Sequence, residues 1–231
     1  MDEKHKAELK SFVRITQLER CPIAGNFDLS HLLQIHAFIF QDSPACLPGQ
    51  LRPHTPSWVK CRTLECENLS YHVPYYAGAD LAQQLERALA RMREAGLLQA
   101  RPLDEFAALL ATHYAELDYL HPFIEGNSRT LRTFTRQLAS QTELVLDWGA
   151  SAGDTQARDT LYKARDVAVL RRAWPGLCRE QADALPDNAA SRAQYEAYYL
   201  GLRLIEHGVP LPTLIRQSLQ TRAKPVLRRI K

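Results

Sequence analysis

The feature that most constrains the fold is a regular apolar stripe in the middle of the chain. It begins after Asp104 and recurs every three or four positions, through Phe106, Leu109, Leu110, His113, Tyr114, Leu117 and Leu120. This spacing puts the apolar side chains on one face of a helix, and so broad a face predicts burial against other helices. His113 lies on the stripe and is predicted to be a packed residue. We therefore expect a central helix that ends before Pro122, because proline cannot continue helical hydrogen bonding.

Helical spacing also dominates the segments around this helix. It predicts one helix capped by Asp28, with His36 packed on its apolar face, and another from about Asp80 that stops at Gly96. Prolines and glycines between residues 48 and 78 predict loops and one short hairpin. Further helices are predicted from Asn127 or Ser128 to about Gln141, and near Thr155–Ala173, Asn188–His207 and Thr213–Gln220. The predicted fold class is all-α with a small β element before residue 77.

Charge and hydropathy narrow the function classes. In a chain of 231 residues, a formal net charge of +3 is too small to indicate nucleic-acid binding by itself. The charged first ten residues lack the apolar core of a signal peptide, and no segment has the length needed to span a bilayer. Basic residues near the end predict a solvated terminus, with a binding arm or an export signal as the less favoured alternatives: Arg216, Arg222, Lys224, Arg228, Arg229 and Lys231.

The cysteines indicate the redox environment. There are five, an odd number at irregular spacings, which favours a reducing compartment over a disulfide framework. Cys46, His54, Cys61 and Cys66 could gather a metal ion, but their spacings match no usual zinc pattern. These four residues are therefore not predicted to form a metal site.

The residues that carry chemistry are concentrated in the run His121-Pro-Phe-Ile-Glu-Gly-Asn-Ser-Arg-Thr-Leu-Arg132. Gly126 can adopt a positive φ, and Asn127 tolerates such turns better than most residues. Successive amides at this helix start would form a concavity that binds an anion. Arg129 and Arg132 are three positions apart, so both project from nearly the same face and suit a polyphosphate better than a lone carboxylate.

Two further residues of the run extend this prediction. Glu125 would repel a phosphate at the same mouth unless a divalent cation lay between them, which predicts a magnesium site. His121 could accept a proton from an incoming hydroxyl, and Phe123 is predicted to anchor the loop in the core. The plainer alternative is an ordinary helix start capped by Asn127, which leaves His121 and Glu125 without a reason to be there.

The run closely resembles the signature of Fic-domain proteins, H-x-F-x-[D/E]-G-N-x-R-x-x-R, and matches every fixed position. The resemblance covers about residues 20–165. The segment from Asn26 through His36 to Asp42 looks like the family's early helix, and Gly49–Arg52 looks like the short stretch after that helix. His72, Val73 and Pro74 lie where the family has its flap, a hairpin that aligns the target by strand addition. The resemblance implies a Fic fold, a helical bundle around the motif helix, over residues 1–175. Residues 176–231 would then form a helical extension with a basic tail.

The resemblance also implies an activity, the transfer of AMP from ATP to a Ser, Thr or Tyr hydroxyl of a target protein, with Mg²⁺ bound. By position, His121 would be the general base and Glu125 the magnesium ligand. Gly126, Asn127 and Ser128 would form the anion nest, with Arg129 and Arg132 on the β- and γ-phosphates as catalytic residues. Such a protein would act as a bacterial toxin or a translocated effector. It would be found in the bacterial cytoplasm or be delivered to a host cell without a classical signal peptide.

Two details of the sequence bear on activity and its control. Ser128 stands where adenylylating members most often have Gly and a phosphorylating toxin branch has Lys. Because Ser128 is neither, the alternative to AMP transfer is a nucleotide-binding module with weak or altered transferase activity. Many members carry an inhibitory helix marked [S/T]-x-x-x-E-[G/N], and the one literal match here, Thr63–Asn68, lies before the flap. We interpret that match as accidental. Arg132 is therefore predicted to have no intramolecular glutamate partner, and inhibition to come from a separate antitoxin or to be absent.

Overall fold

The protein is mostly helical. A computed structural model describes residues 3–99, 101–148, 154–176, 178–184 and 199–221. The helices are α1 (Glu3–Arg20), α2 (Leu29–Phe40), α3 (Leu81–Glu94), α4 (Leu103–Leu120), α5 (Asn127–Ser140), α6 (Thr155–Ala173), α7 (Arg179–Asp183), α8 (199–207) and α9 (Leu211–Ser218). The strands are β1 (Trp58–Leu64), β2 (Leu69–Tyr75), β3 (Leu144–Leu146) and β4 (Leu219–Thr221). The predicted class, all-α with a small hairpin before residue 77, is confirmed.

Helix α4 lies at the centre of the fold. Phe106, Leu110, Tyr114 and Leu117 of its apolar stripe are buried, and α3, α5, α6 and α9 all pack against it. His113 is buried as well, as its position on the stripe predicts. Because α4 is covered from several sides, its C-terminal end is fixed relative to the start of α5, and that junction carries the motif.

The helix boundaries follow the sequence signals closely. The Asp28 carboxylate caps α2 by accepting the His31 amide at 2.9 Å, and Gly96 has a left-handed φ of +69° just after α3. Helix α6 has the predicted bounds, and α9 begins two residues before the predicted start. Of the helix predicted near Asn188–His207, residues 199–207 are helical and residues 188–198 lie outside the described chain. The basic positions from Arg222 to Lys231 also lie outside it.

The hairpin packs on α6. Strands β1 and β2 are antiparallel, with Lys60 opposite Val73 and Trp58 opposite Tyr75. Alternate residues of β2 are buried, namely Tyr71, Val73 and Tyr75, and they share a core cluster with Val167 and Leu170 of α6. This alternation leaves the other face of β2 toward solvent.

Two features of the fold were not predicted. Helix α1 was overlooked because its sequence is highly charged. The three-residue strands β3 and β4 are too short to show a period, and they pair with each other antiparallel. Residues of α9 and β4, near the end of the described chain, pack on the core. The domain boundary at residue 175 stays a prediction. None of the described helices combines the length and the apolar character needed to cross a membrane.

Candidate active site at the junction of α4 and α5

The motif forms a tight loop between two helices. His121 ends α4 in a left-handed conformation, with φ of +46°, and α5 begins at Asn127. The Asn127 side chain closes the loop, because Oδ1 accepts the Phe123 amide at 2.9 Å and Nδ2 donates to the Phe123 carbonyl at 2.7 Å. Its side chain is therefore committed to the loop, and what it can offer a ligand is its backbone amide at the helix start.

Gly126 is required for two reasons. Its φ of +83° confirms the predicted positive value. A Cβ at this position would also lie 2.2 Å from carbon atoms of the Phe40 ring. The start of α5 thus lies directly against α2, so the amide groups there are held in place by close packing.

Phe123 and His36 fix the path of the loop. Phe123 is fully buried, and its ring stacks on the His36 ring with centroids 3.7 Å apart and planes 2° from parallel. His36 Nδ1 accepts the Gly49 amide at 3.0 Å, so Nε2 carries the hydrogen and donates to the Glu125 carbonyl at 3.1 Å. Burial lowers the pKa of His36 to about 4. Both residues are structural, as their positions in the sequence predict.

Arg52 holds the end of α4, a role that the sequence does not reveal. Its Nε donates to the His121 carbonyl at 2.8 Å, its amide donates to the Pro122 carbonyl at 2.8 Å, and its Nη2 donates to the Tyr76 carbonyl. A cation at a helix C-terminus also interacts favourably with the helix dipole. Arg52 therefore stabilises the left-handed backbone of His121.

His121 is buried but faces the cleft. Its side chain is 6% exposed, and the Tyr75 ring lies 3.8 Å away, centroid to centroid. Burial, reinforced by the positive charges of Arg165, Lys60, Arg62 and Arg52, lowers the pKa of His121 well below its ordinary value. The imidazole is therefore neutral near pH 7, which is the form that can accept a proton.

A cleft of about 340 Å³ opens over this junction. All the predicted motif residues except the loop anchor Phe123 line it: His121, Glu125, Gly126, Asn127, Ser128, Arg129 and Arg132. The rest of its wall comes from α1, β1, β2 and α6 through Glu8, Phe12, Lys60, Cys61, Arg62, Tyr75, Tyr162 and Arg165. The described lining thus carries five cationic side chains against two carboxylates, a balance that favours an anionic ligand.

The hairpin contributes to the cleft mainly through β1. Lys60, Cys61 and Arg62 line it, whereas His72 and Pro74, predicted as flap residues, belong to the solvent side of β2, and Val73 is buried. A hairpin therefore lies beside the site, where the resemblance implies the flap, and the strand along the cleft is mainly β1, which precedes the predicted segment.

The contacts of the two motif arginines are to a hydroxyl group, an aromatic ring and a backbone carbonyl. Arg129 Nη1 donates to Ser11 Oγ of α1 at 2.6 Å, and its guanidinium lies 4.8 Å from the centre of the Phe40 ring. Arg132 makes a 3.4 Å contact from Nε to the Ser128 carbonyl, and burial lowers its pKa. Within the described chain, neither guanidinium forms an ion pair with Asp or Glu. Glu67 pairs with Lys163 instead, as expected if the Thr63–Asn68 match is accidental.

Glu125 is placed to hold a cation. Its side chain is 62% exposed at the mouth of the cleft, and Lys60 Nζ lies 3.0 Å from Oε1 and 2.9 Å from the Ile124 carbonyl oxygen. The Glu125 carboxylate and the Ile124 carbonyl present oxygen atoms to the Lys60 ammonium group, and oxygen is the ligand atom that Mg²⁺ prefers. No described cluster of three His, Cys, Asp or Glu side chains could hold a metal, so Mg²⁺ at Glu125 would need phosphate and water as further ligands.

Two ion pairs with fully buried carboxylates support the wall of the cleft, and no sequence pattern predicted either of them. Arg165 donates to both carboxylate oxygens of Asp118, at 2.7 and 3.0 Å, and Arg62 does the same to Asp166, at 2.8 and 3.2 Å. The Tyr71 hydroxyl also donates to Asp166, which links β1 and β2 to α6. The sequence signal that could have indicated these pairs is the position of Asp118, Arg165 and Asp166 on helix faces that are otherwise apolar.

The chain is similar to known proteins over most of its length. Residues 26–139 match the model of the Fic/DOC family. The protein adenylyltransferase VbhT of Bartonella schoenbuchensis is 32% identical over 169 residues, which cover 70% of this chain and 32% of VbhT. This chain therefore spans about a third of the length of that relative. Fic of Salmonella typhimurium is 29% identical over 162 residues, which cover 69% of this chain and 72% of that protein.

A solved structure shares the fold. BepC of Bartonella tribocorum, a VirB-translocated effector with bound AMPPNP, aligns with a TM-score of 0.64 at 16% identity, covering 95% of this chain and 87% of that one. At this level of identity, the similarity concerns the fold. With the helical architecture, the hairpin, the complete motif and the family match in agreement, the chain belongs to the Fic/DOC family.

Proposed function

We propose that this protein transfers AMP from ATP to a hydroxyl group of a target protein, with Mg²⁺ bound at Glu125. The observation that carries the proposal is that neutral His121 and the guanidinium groups of Arg129 and Arg132 line one cleft. Transfer of a nucleotide to an alcohol needs a proton acceptor and stabilisation of phosphate charge, and this cleft offers both. The name of VbhT and the AMPPNP bound to BepC support the same substrate.

His121 would act on the target hydroxyl. As the hydroxyl oxygen forms a bond to the α-phosphorus of ATP, the neutral imidazole accepts the proton. The bond between the α-phosphorus and the oxygen that bridges to the β-phosphate breaks, and pyrophosphate leaves. The left-handed backbone held by Arg52 fixes the position of the imidazole for this transfer.

The start of α5 would hold the phosphates that leave. The amides of Gly126, Asn127 and Ser128 lie at the positive end of the helix dipole, and Arg129 and Arg132 add two cations on the same side. These cations stabilise the negative charge that develops on pyrophosphate. When bound at Glu125, Mg²⁺ would neutralise further phosphate charge. Lys60 would have to release the carboxylate of Glu125 for that purpose.

The hairpin would position the target. Among the described residues β1 and β2 pair only with each other, so each keeps one edge to which an extended target segment could add. Strand addition recognises backbone more than side chains. We therefore propose a protein partner that presents a Ser, Thr or Tyr hydroxyl to His121.

We further propose that the protein acts as a toxin or a translocated effector. The description of BepC as VirB-translocated supports delivery to a host cell. Because no described carboxylate pairs with Arg132, inhibition would come from a separate antitoxin or be absent.

The test is a transfer assay with ATP labelled at either the α- or the γ-phosphate, using bacterial or host lysate as acceptor. AMP transfer predicts that α-label, and not γ-label, becomes attached to protein. Nucleotide binding without transfer would instead support the alternative, a nucleotide-binding module. γ-Label on protein would indicate phosphate transfer.

A further inference from the structure

Ser128 is the second residue of α5 and lines the cleft. Ser128 Oγ accepts a hydrogen bond from Arg165 Nη1 at 2.8 Å. A guanidinium donates hydrogen bonds and accepts none, so the hydrogen atom of the Ser128 hydroxyl is not used in this contact. No acceptor for that hydrogen is found among the described residues. Because Ser128 lines the cleft, this hydroxyl can donate to a ligand bound there.

Arg165 has little freedom to move. Its side chain is 1% exposed, and its Nε and Nη2 are bound to both carboxylate oxygens of Asp118, which is fully buried. This bidentate pair fixes the plane of the guanidinium and thus the direction of Nη1. Asp118 lies on α4, Ser128 on α5 and Arg165 on α6, so one polar chain joins the three helices directly beneath the anion site.

We propose that the Ser128 hydroxyl, oriented by Arg165 and Asp118, donates a hydrogen bond to a phosphate oxygen of the bound nucleotide. This rests on the nucleotide site of the proposed function and adds a side-chain donor to the backbone amides at the start of α5. Accepting a bond from a guanidinium polarises the hydroxyl, and hydrogen bonds in such chains strengthen one another. A bond from this hydroxyl to a phosphate is charge-assisted, which places it among the stronger hydrogen bonds. Ser128 is then a binding residue, and Arg165 and Asp118 are positioning residues.

The first experiment measures binding of ADP, in the presence of Mg²⁺, to the full chain by titration calorimetry. Ser128→Ala should weaken ADP binding about tenfold, because it removes one hydrogen bond to a charged group. Ser140→Ala is the matched control, since Ser140 ends the same helix and its Oγ donates to the Gln137 carbonyl, away from the cleft. Binding of adenosine, which lacks phosphates, should be the same in all three proteins. If Ser128→Ala binds ADP as tightly as Ser140→Ala does, the inference is wrong.

The second experiment tests the role of Arg165. Removing Arg165 alone would leave Asp118 as an unpaired buried charge, so the variant to use is Asp118→Asn with Arg165→Met. If Arg165 acts through Ser128, the triple variant that also carries Ser128→Ala should bind ADP less than twofold more weakly than the double variant does. A full additional tenfold loss would show that the two act independently and would overturn the positioning role. Failure of the proposed function would look different, because wild-type protein would then transfer no α-label even if these ADP affinities behave as expected.

Discussion

Arg52 Nε donates to the carbonyl oxygen of His121 at 2.8 Å, and this bond joins the stretch after α2 to the residue proposed as the base. The bond explains how a non-glycine residue is held at a φ of +46° at the end of α4.

Replacing Arg52 should therefore cost stability. Arg52→Gln leaves the carbonyl groups of His121, Leu120 and Tyr76 without their guanidinium donor. We expect the free energy of unfolding to fall by about 2–4 kcal/mol, measured by urea denaturation. The exposed Arg87→Gln on α3 is the control and should change it by less than about 0.5 kcal/mol. Equal effects of the two variants would contradict the assigned role.

The depressed pKa of His121 predicts the pH dependence of transfer. A histidine with the ordinary value of 6.5 loses its ability to accept a proton as the pH falls through that value. Because burial and nearby cations lower the pKa of His121, it stays neutral at lower pH, and kcat/KM should stay flat as the pH falls from about 7.5 to about 6. A profile of kcat/KM with a midpoint at pH 6.5 would contradict this.

Arg132 should be essential for holding the nucleotide phosphates. Arg132→Gln removes a cation that has no described carboxylate partner, so its charge is available to the ligand. We expect ADP binding to weaken by about tenfold or more, measured by calorimetry. Arg136→Gln, one turn further along α5, is the control, because Arg136 pairs with Glu19 and lies outside the cleft lining. Similar affinities for the two variants would argue against phosphate contact by Arg132.

Lys60 should compete with Mg²⁺ for Glu125. Since its ammonium group lies 3.0 Å from Oε1, Lys60→Met should lower the Mg²⁺ concentration needed for half-maximal ADP binding. A partly exposed ion pair is worth up to about 1 kcal/mol, so the decrease should be at most about fivefold. Lys163→Met, which breaks the pair with Glu67, is the control and should have no effect on this concentration. A higher Mg²⁺ requirement in Lys60→Met would mean that Lys60 assists binding of the nucleotide.

Glu67 should have no inhibitory role. It follows β1 in the hairpin turn and pairs with Lys163 rather than with a motif arginine. Glu67→Ala should leave the rate of AMP transfer within about twofold of the wild-type rate. An increase of tenfold or more would revive the interpretation of Thr63–Asn68 as an inhibitory segment.

The sequence predicts those parts of the molecule that depend on neighbouring residues. The apolar stripe of α4, the Asp28 cap and the positive φ of Gly126 all arise from local spacing and residue type, and the structure confirms them. Glu125, Arg129 and Arg132 are gathered in one cleft because they lie within eight positions on one loop and helix start.

The parts that escaped prediction depend on partners distant in the chain. Arg165 and Asp118 are 47 positions apart, and Arg52 and His121 are 69 apart, so no local pattern joins either pair. The placement of α1 over the cleft was missed as well, since a charged helix with few buried residues shows little periodicity.

The most direct test of the central claim is the His121-dependence of labelling by α-labelled ATP. Wild-type protein, His121→Ala and the control His207→Ala are compared on the same lysate, because His207 is exposed on α8 and lies outside the cleft lining. We predict α-label on acceptor proteins with the wild type and with His207→Ala, and a loss of at least about a hundredfold with His121→Ala. Equal labelling by His121→Ala and the wild type would contradict it.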